Sequence, residues 1–258
     1  MSEDEIILTH ILRCSRTDLL IHKPQLTAAQ NKQFQEYKAR RQNGEPLQYI
    51  LGSWEFCGLE FKVDPRVLVP RPETEILVEE AVKRFKGRDI LDLGTGSGNI
   101  TVALAQLLPY AQVTSVDISV DALSVAMGNA QRHGVESRVA FINADMFGYL
   151  EGCWEEFDLI ISNPPYIPTA KMADLPADVK REPALALDGG ADGLDFYRDI
   201  IKYSPPLLRK GACLMMEFGD GQAKDIQALL RTQSLFSQAE IIKDLAGKER
   251  IVIAWKSL

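Results

Sequence analysis

The last two thirds of the chain alternate between short apolar runs and stretches with helical signals, a pattern that few folds accommodate. Seven runs have the composition of buried strands, and they lie near residues 90–93, 112–116, 138–142, 157–162, 211–218, 238–243 and 250–255. Helical stretches lie near residues 72–85, 98–108, 120–133, 194–208 and 221–232. Strands that alternate with helices in this way predict an α/β domain with a doubly wound sheet.

The residues ahead of this domain have a different character. Helical spacing of apolar residues, and a capping-box pattern that begins at Thr27, predict a small helical domain over residues 1–45. Residues 46–72 contain two short alternating runs around Gly58 and then several prolines, which predict a linker that includes a hairpin. The α/β domain is then expected to occupy residues 73–258.

Composition and charge exclude several classes of protein. The chain has 258 residues, of which 46% are hydrophobic and 25% are charged, as in an ordinary globular protein. No apolar stretch is long enough to cross a bilayer, and the acidic start lacks the pattern of a signal peptide, so we expect a cytoplasmic location and no membrane partner. The net charge of −7 argues against a broad basic face for duplex nucleic acid. The cysteines and histidines have no close spacing, so no metal site is expected.

A glycine-rich loop follows the first strand of the predicted sheet. It consists of Gly94, Thr95, Gly96, Ser97 and Gly98, and glycines let a backbone turn tightly and approach a ligand closely. The dinucleotide-binding fingerprint has its third glycine one position later, and the phosphate-binding P-loop requires a lysine that is missing here. Asp92, at the end of the strand, indicates a ligand with a cationic group rather than a phosphate.

Two further positions extend this ligand site. Asp117 ends the second strand, near the spacing of about 20 residues at which an acid binds ribose hydroxyls in nucleotide-binding α/β domains. Met146 follows the third strand, where an adenine edge would lie. A ligand with a cationic amino acid part, a ribose and an adenine satisfies all three positions. The sequence therefore predicts that the chain binds S-adenosylmethionine.

Asn163, Pro164, Pro165 and Tyr166 follow the fourth strand, at the edge where open α/β sheets bind ligands. The prolines stiffen the backbone and remove two N–H donors, so the Asn163 side-chain oxygen and main-chain carbonyls remain as acceptors. Acceptors suit a substrate NH2 group, and the Tyr166 ring suits stacking on a planar group. A proline-rich loop without a role is the alternative, and the upstream glycine loop weighs against it. Residues 163–193 are predicted to form a substrate-facing lid.

Several motifs are specific enough to indicate a family. They are Glu45-Pro46-Leu47-Gln48-Tyr49-Ile50-Leu51-Gly52, Val69-Pro70-Arg71-Pro72-Glu73-Thr74-Glu75, the glycine loop, Asn163-Pro164-Pro165-Tyr166 and Leu187-Asp188-Gly189-Gly190. Over nearly the whole chain they resemble the release factor glutamine methyltransferases, which act on class-1 peptide chain release factors. The resemblance implies a seven-stranded Rossmann-like S-adenosylmethionine-dependent methyltransferase domain, a small N-terminal helical domain that docks the release factor, and a hairpin linker.

The resemblance also implies an activity and the residues that perform it. The chain would be a protein-glutamine N-methyltransferase whose acceptor is the glutamine of the release factor's Gly-Gly-Gln motif. The expected cofactor contacts are Asp92, Gly94, Thr95, Gly96, Ser97, Gly98, Asp117, Met146 and Asn163. Residues 163–166 would bind the glutamine, with Asn163, Pro164 and Tyr166 as catalytic residues. A monomer without direct nucleic acid contacts is expected.

Two other functions are compatible with parts of this pattern. An adenine N6 methyltransferase acting on DNA or RNA must also orient an NH2 group. Such an enzyme must usually extract a base from the nucleic acid and bind a polyanion, and the net negative charge of this chain argues against that function. A cofactor-binding regulator without catalysis would not need the intact residues 163–166.

Three more residues have open structural interpretations. Arg71 is expected either to form an ion pair within the linker or to contact the site, and Glu217 to be a structural partner at the end of a strand. Phe56 is expected in the hairpin core, with a role as a cofactor lid as the alternative.

Overall fold

The computed structural model describes all 258 residues. Four helices occupy the N-terminal part: α1 (Glu3–Leu12), α2 (Arg16–His22), α3 (Ala28–Gln42) and α4 (Leu47–Leu51). The first three each begin with a capping box, in which two side chains satisfy backbone N–H groups reciprocally. The helical character predicted for residues 1–45 is confirmed. Helix α4 lies in the predicted linker and is a correction, because five residues are too few to show a helical period.

The hairpin consists of β1 (Ser53–Phe56) and β2 (Leu59–Lys62), as predicted. Its two turn residues, Cys57 and Gly58, have φ of 50° and 72°, so the turn matches the right-handed twist of the strands. The rings of Phe56 and Phe61 meet edge to face with centroids 5.9 Å apart, and both are buried in the core of the α/β domain. The interpretation of Phe56 as a core residue is therefore confirmed.

The main sheet has seven strands: β3 (Asp89–Leu93), β4 (Gln112–Asp117), β5 (Val139–Asn143), β6 (Phe157–Ser162), β7 (Leu208–Glu217), β8 (Phe236–Lys243) and β9 (Glu249–Lys256). Their order is β5-β4-β3-β6-β7-β9-β8, and the first five are parallel. Strand β9 runs antiparallel to both of its neighbours. The predicted doubly wound α/β fold is confirmed, and the strand order reverses between β3 and β6, which is where such sheets bind ligands.

Six helices accompany this sheet: α5 (Pro72–Arg84), α6 (Asn99–Leu107), α7 (Val120–Arg132), α8 (Met146–Gly152), α9 (Asp195–Leu207) and α10 (Ala223–Arg231). Successive residues of a strand point to opposite faces. Ile90 therefore packs in the core formed with α5 and α6, whereas Leu91 packs in the core formed with α9 and α10. Helix α8 was not predicted, although Asp145 caps it by accepting the N–H of Gly148.

Residues 163–193 contain no strand and no α-helix, and instead fold through three short 3₁₀ helices. Backbone hydrogen bonds hold the two halves of this segment together, since Ile167 N–H donates to Leu187 at 3.0 Å and Gly189 N–H donates to Ile167 at 2.8 Å. The segment is thus internally bonded along its length. None of the helices in the chain is both long and apolar enough to cross a membrane.

Candidate active site

A cavity opens at the carboxyl ends of the parallel strands, where the sheet order reverses. Its walls come from the loops after β3, β4, β5 and β6, from the linker ahead of α5, and from residues 183–186. Of the predicted site residues it contains Gly94, Thr95, Gly96, Ser97, Asp117, Met146, Asn163 and Pro165. Asp92, Gly98, Pro164 and Tyr166 do not line it. The parallel topology brings together residues from four separate loops because all four strands end at the same edge.

The glycine loop turns sharply into α6. Gly94, Gly96 and Gly98 all have φ between 55° and 78°, in the left-handed region that favours glycine. Gly98 also lies where a Cβ atom would approach the Cβ of Ala126 to 3.0 Å. Gly98 thus serves the close packing of α6 on α7, which explains why it belongs to the motif without lining the cavity.

Asp117 is held rigidly at the end of β4. Its Oδ2 accepts the N–H of Gly96 at 2.8 Å, and its Oδ1 accepts the N–H of Ser119 at 2.8 Å. Burial raises the pKa of Asp117, while the two backbone N–H groups act in the opposite direction. Each oxygen keeps a further lone pair, so the carboxylate can accept two hydroxyl hydrogens from a ligand in the cavity.

Asp92 lies fully buried in β3 rather than on the cavity wall. Its Oδ2 accepts the hydroxyl of Thr101 at 2.6 Å, but its Oδ1 has no hydrogen-bond partner. Burial raises the pKa of Asp92 to about 6, so the group is mostly ionised at neutral pH. An orphaned, buried carboxylate oxygen below the glycine loop is costly unless a donor or a cation satisfies it.

Asn163 follows β6 on the other side of the cavity. Its amide nitrogen Nδ2 donates to Thr74 Oγ1 at 3.1 Å, and that hydroxyl donates to Glu217 Oε2 at 2.6 Å. Asn163 Oδ1 makes no bond within the protein and is left as an acceptor for a ligand. The sequence identified Glu217 only as a structural partner, and it identified Thr74 only as a member of a family motif, without a role.

Pro164 and Pro165 are buried, and Tyr166 is half-buried against the core formed with α9 and α10. The carbonyl of Tyr166 accepts Gln222 Nε2 at 3.1 Å. A Cβ atom at Gly189 would approach the carbonyl oxygen of Pro165 to 2.8 Å, so only glycine allows residues 163–193 to pack here. Burial raises the pKa of Tyr166 to about 12, which keeps its hydroxyl neutral. These packing partners fix the backbone of residues 164–166.

Arg71 forms an ion pair, but its partner Glu182 lies in residues 163–193 rather than within the linker. Arg71 Nη2 donates to Glu182 Oε1 at 2.5 Å, and Glu182 Oε2 accepts the N–H of Val69 at 3.1 Å. Glu182 is 5% exposed, and burial raises its pKa while the Arg71 guanidinium lowers it. These bonds join the linker to residues 163–193 beside the cavity, so Arg71 forms an ion pair and also lines the site.

Solved structures of several methyltransferases share this fold. A methyltransferase from Pyrococcus furiosus superposes with a TM-score of 0.58 and 16% identity, covering 90% of this chain and 100% of that one. A ribosomal protein L11 methylase from Lactobacillus delbrueckii subsp. bulgaricus has a TM-score of 0.55 and 20% identity, covering 76% and 84% of the two chains. At these identities the likeness shows the fold alone.

The fold and the site define an S-adenosylmethionine-dependent methyltransferase, and a methyltransferase domain model matches residues 84–240. A model of the PrmC N-terminal domain matches residues 2–52. The chain is 41% identical to the release factor glutamine methyltransferase of Moorella thermoacetica, over 98% of this chain and 90% of the relative. It is 48% identical to that of Geobacter sulfurreducens, over 83% and 74%. The chain belongs to the release factor glutamine methyltransferase family.

Proposed function

We propose that the chain transfers a methyl group from S-adenosylmethionine to the side-chain amide nitrogen of the glutamine in the Gly-Gly-Gln motif of class-1 release factors. The observation that carries the proposal is Asn163 Oδ1, an acceptor without a protein partner on a side chain that lines the same cavity as the glycine loop. Relatives that carry the corresponding name support the choice of substrate.

The residues around the cavity fit S-adenosylmethionine. Asp117 would accept the two ribose hydroxyls, and Met146 and the glycine loop would flank the adenosine. The orphaned Oδ1 of Asp92 would attract the positive charge of the amino acid part from beneath the loop. Direct contacts are proposed for Gly94, Thr95, Gly96 and Ser97, with Gly98 supporting the loop. When bound, the cofactor supplies an electrophilic methyl group on a sulfonium centre.

The chain's own residues must overcome the weakness of the nucleophile. A carboxamide nitrogen is a poor nucleophile because its lone pair is delocalised into the carbonyl. Asn163 Oδ1 would accept one hydrogen of the glutamine NH2 group, and the carbonyl of Pro164, which lies between the cavity-lining residues Asn163 and Pro165, would accept the other. Two acceptors would fix the direction of the nitrogen. Bringing reacting atoms to roughly 3–3.5 Å in line is an orientation effect that supplies several kcal/mol. The same acceptors stabilise positive charge that develops on the nitrogen.

The remaining parts of the chain have roles in the same proposal. Pro165 shapes the pocket wall. Tyr166 packs against the core formed with α9 and α10, and its ring would have to be reached from the cavity to stack on the planar amide of the substrate. Residues 1–45 dock the release factor, residues 46–72 connect this domain to the methyltransferase domain, and residues 73–258 perform the reaction. The protein acts as a monomer in the cytoplasm, where release factors function, and it needs no direct contact with nucleic acid.

Methyl transfer to competing acceptors tests the proposal. The purified chain is incubated with labelled S-adenosylmethionine and, in parallel, with a class-1 release factor, duplex DNA or transfer RNA. We expect one methyl group on the release factor, which peptide mass spectrometry locates on the Gly-Gly-Gln glutamine. A release factor whose glutamine is replaced by alanine is the matched control. Methylation of adenine, with none on the release factor, contradicts the proposal.

A further inference from the structure

Three side chains from distant parts of the sequence form one hydrogen-bonded row. Asn163 follows β6, Thr74 lies in the first turns of α5, and Glu217 ends β7. The distances are 3.1 Å from Asn163 Nδ2 to Thr74 Oγ1 and 2.6 Å from Thr74 Oγ1 to Glu217 Oε2. Thr74 and Glu217 are 1% and 2% exposed, so water does not compete for these bonds.

The protonation state of Glu217 and the single hydroxyl proton of Thr74 determine which atom of the Asn163 amide faces the cavity. An ionised carboxylate only accepts, so the single hydroxyl proton of Thr74 must point at Glu217. The hydroxyl then has only lone pairs left for Asn163, and it can bond the amide nitrogen but not the amide oxygen. The amide of Asn163 is thereby held with Nδ2 toward Thr74 and Oδ1 toward the cavity.

We propose that Thr74 and Glu217 are positioning residues that set the orientation of the Asn163 amide for methyl transfer. This inference rests on the proposed role of Asn163 as the acceptor for a substrate NH2 group. With the amide reversed, Asn163 would present its own NH2 to the substrate NH2, and two donors would face each other. The row thus favours a substrate group that donates hydrogen bonds, such as an NH2 group. It disfavours a substrate carboxylate in the same place, because a carboxylate can only accept.

Glu217 is an unusual group to bury for structural reasons alone. It forms no ion pair, since the cations nearest to it, Arg250 and Arg71, are bonded to Asp244 and Glu182. A buried carboxylate without an ion pair is costly to the fold. A neutral side chain of the same shape would fill the space, whereas only a group that cannot donate imposes a direction on the Thr74 hydroxyl.

The charge on Glu217 makes the orientation depend on pH. Burial raises the pKa of Glu217 to about 7, with Glu73 acting in the same direction and Thr74, Arg250 and Arg71 in the opposite one. Tyr166 and Tyr197 also face this carboxyl, and burial keeps both neutral. Once protonated, Glu217 can donate to Thr74, and the Thr74 hydroxyl is then free to donate to Asn163 Oδ1. The productive orientation is therefore held above about pH 7 and released below it.

Replacement of Thr74 tests this role. Thr74→Val keeps the shape but removes the hydroxyl, and Thr74→Ser restores it. We expect Thr74→Val to lower kcat for methyl transfer to the release factor by about tenfold to a hundredfold, and Thr74→Ser to recover most of it. The affinity for S-adenosylhomocysteine, measured by calorimetry, should change by less than about threefold in both. Thr232→Val, which removes a threonine hydroxyl bonded to Leu229 at the end of α10, is the matched control and should behave as wild type.

A pH profile separates positioning from a merely structural contribution. The kcat of the wild type should fall as pH is lowered through about 7, and this dependence should be absent in Thr74→Val. A Thr74→Val variant with wild-type kcat overturns the inference, as does one that shows the wild-type pH profile. Loss of cofactor affinity equal to the loss of kcat also overturns it. If the wild type methylates nucleic acid instead, the proposed function fails, and the same variants assayed on that acceptor still decide the role of Thr74.

Discussion

The two sides of the cavity are built in different ways. On the cofactor side, the loop after β3 is stabilised by bonds between residues close in sequence, such as Gly96 to Asp117, 21 residues apart. On the substrate side, Asn163 depends on Thr74, 89 residues away, and Thr74 depends on Glu217, 143 residues away. A nucleotide site assembles from neighbouring strand–loop units, whereas the substrate site exists only once the whole domain has folded.

This difference predicts that variants on the two sides fail in different measurements. Asn163→Ala should have the largest effect, because it removes an acceptor that matters most when the substrate nitrogen is aligned and gaining charge. We expect single-turnover methyl transfer to fall by roughly 10²–10³-fold, as for loss of one oxyanion-type hydrogen bond. The affinity for S-adenosylhomocysteine, measured on the same preparation, should fall much less. Wild-type transfer, or a collapse of cofactor binding alone, contradicts the assignment of Asn163.

Asp117→Ala should give the opposite result on the cofactor side. The variant loses both hydroxyl acceptors, and charged hydrogen bonds of this kind contribute about 1.5–3 kcal/mol. Calorimetric titration with S-adenosylhomocysteine should show this loss, while kcat at saturating cofactor stays closer to wild type. Asp121→Asn, on the exposed surface of α7, is a control that changes charge nearby without touching the cavity. Unchanged affinity in Asp117→Ala would show that Asp117 is not the ribose partner.

The stability of the Glu182→Gln variant tests whether contacts between residues distant in sequence hold the substrate side of the cavity together. The substitution weakens the bonds of Glu182 to Arg71 and to the N–H of Val69, and it should lower the free energy of unfolding by about 1–3 kcal/mol. Denaturant unfolding of the apo protein measures this. The control is Asp178→Asn, which breaks the more exposed pair with Arg41 and should cost less than about 1 kcal/mol. Equal losses of unfolding free energy in the two variants would show that the buried Glu182 contacts stabilise the fold no more than the exposed ion pair does.

A slope of stability with pH is also expected, and each side of the cavity contributes one carboxyl to it. Burial raises the pKa of Asp92 to about 6 and that of Glu217 to about 7, both above the values of the unfolded chain. Between pH 4 and these values, the folded state binds more protons than the unfolded state, so stability falls as pH rises toward about 6 for Asp92 and about 7 for Glu217, and each contribution levels off above that value. Chemical unfolding of the apo protein from pH 5 to pH 8 should show this slope.

Substitutions assign that slope to the two sides. Asp92→Asn should reduce the slope only below about pH 6, and Glu217→Gln should reduce it up to about pH 7, since a neutral amide does not titrate. A slope that survives both substitutions would mean that other groups cause it. A saturating concentration of S-adenosylhomocysteine should counteract the loss at high pH mainly through Asp92, because only that carboxyl lies below the cofactor loop.

The sequence predicted the cofactor side well and the substrate side only in part. Strand periodicity, left-handed glycines and the spacing to Asp117 are local signals, and the structure places these residues at one edge of the sheet. The row from Asn163 to Glu217 has no local signal, because a pairing between α5 and the end of β7 depends on sheet order. Helix α4, with five residues, and helix α8, with seven, were missed because neither is long enough to show a period.

Two residues of the predicted site do not line the cavity. Asp92 is fully buried within β3, beneath the glycine loop. Gly98 supports packing between α6 and α7 instead of lining the cavity. Sequence spacing identifies the members of a motif, but the direction in which each side chain points depends on the tertiary structure.

The buried hairpin has a mechanical consequence for the N-terminal helices. Phe56 and Phe61 lie inside the core of the catalytic domain, and Lys62 N–H donates to Asn129 Oδ1 on α7 at 2.8 Å. The hairpin that connects the N-terminal helices to the catalytic domain is therefore part of the folded core and not a flexible linker. Residues inserted into a flexible linker would only lower the effective concentration of a bound partner at the cavity, whereas residues inserted into this hairpin would disrupt the packing of the core.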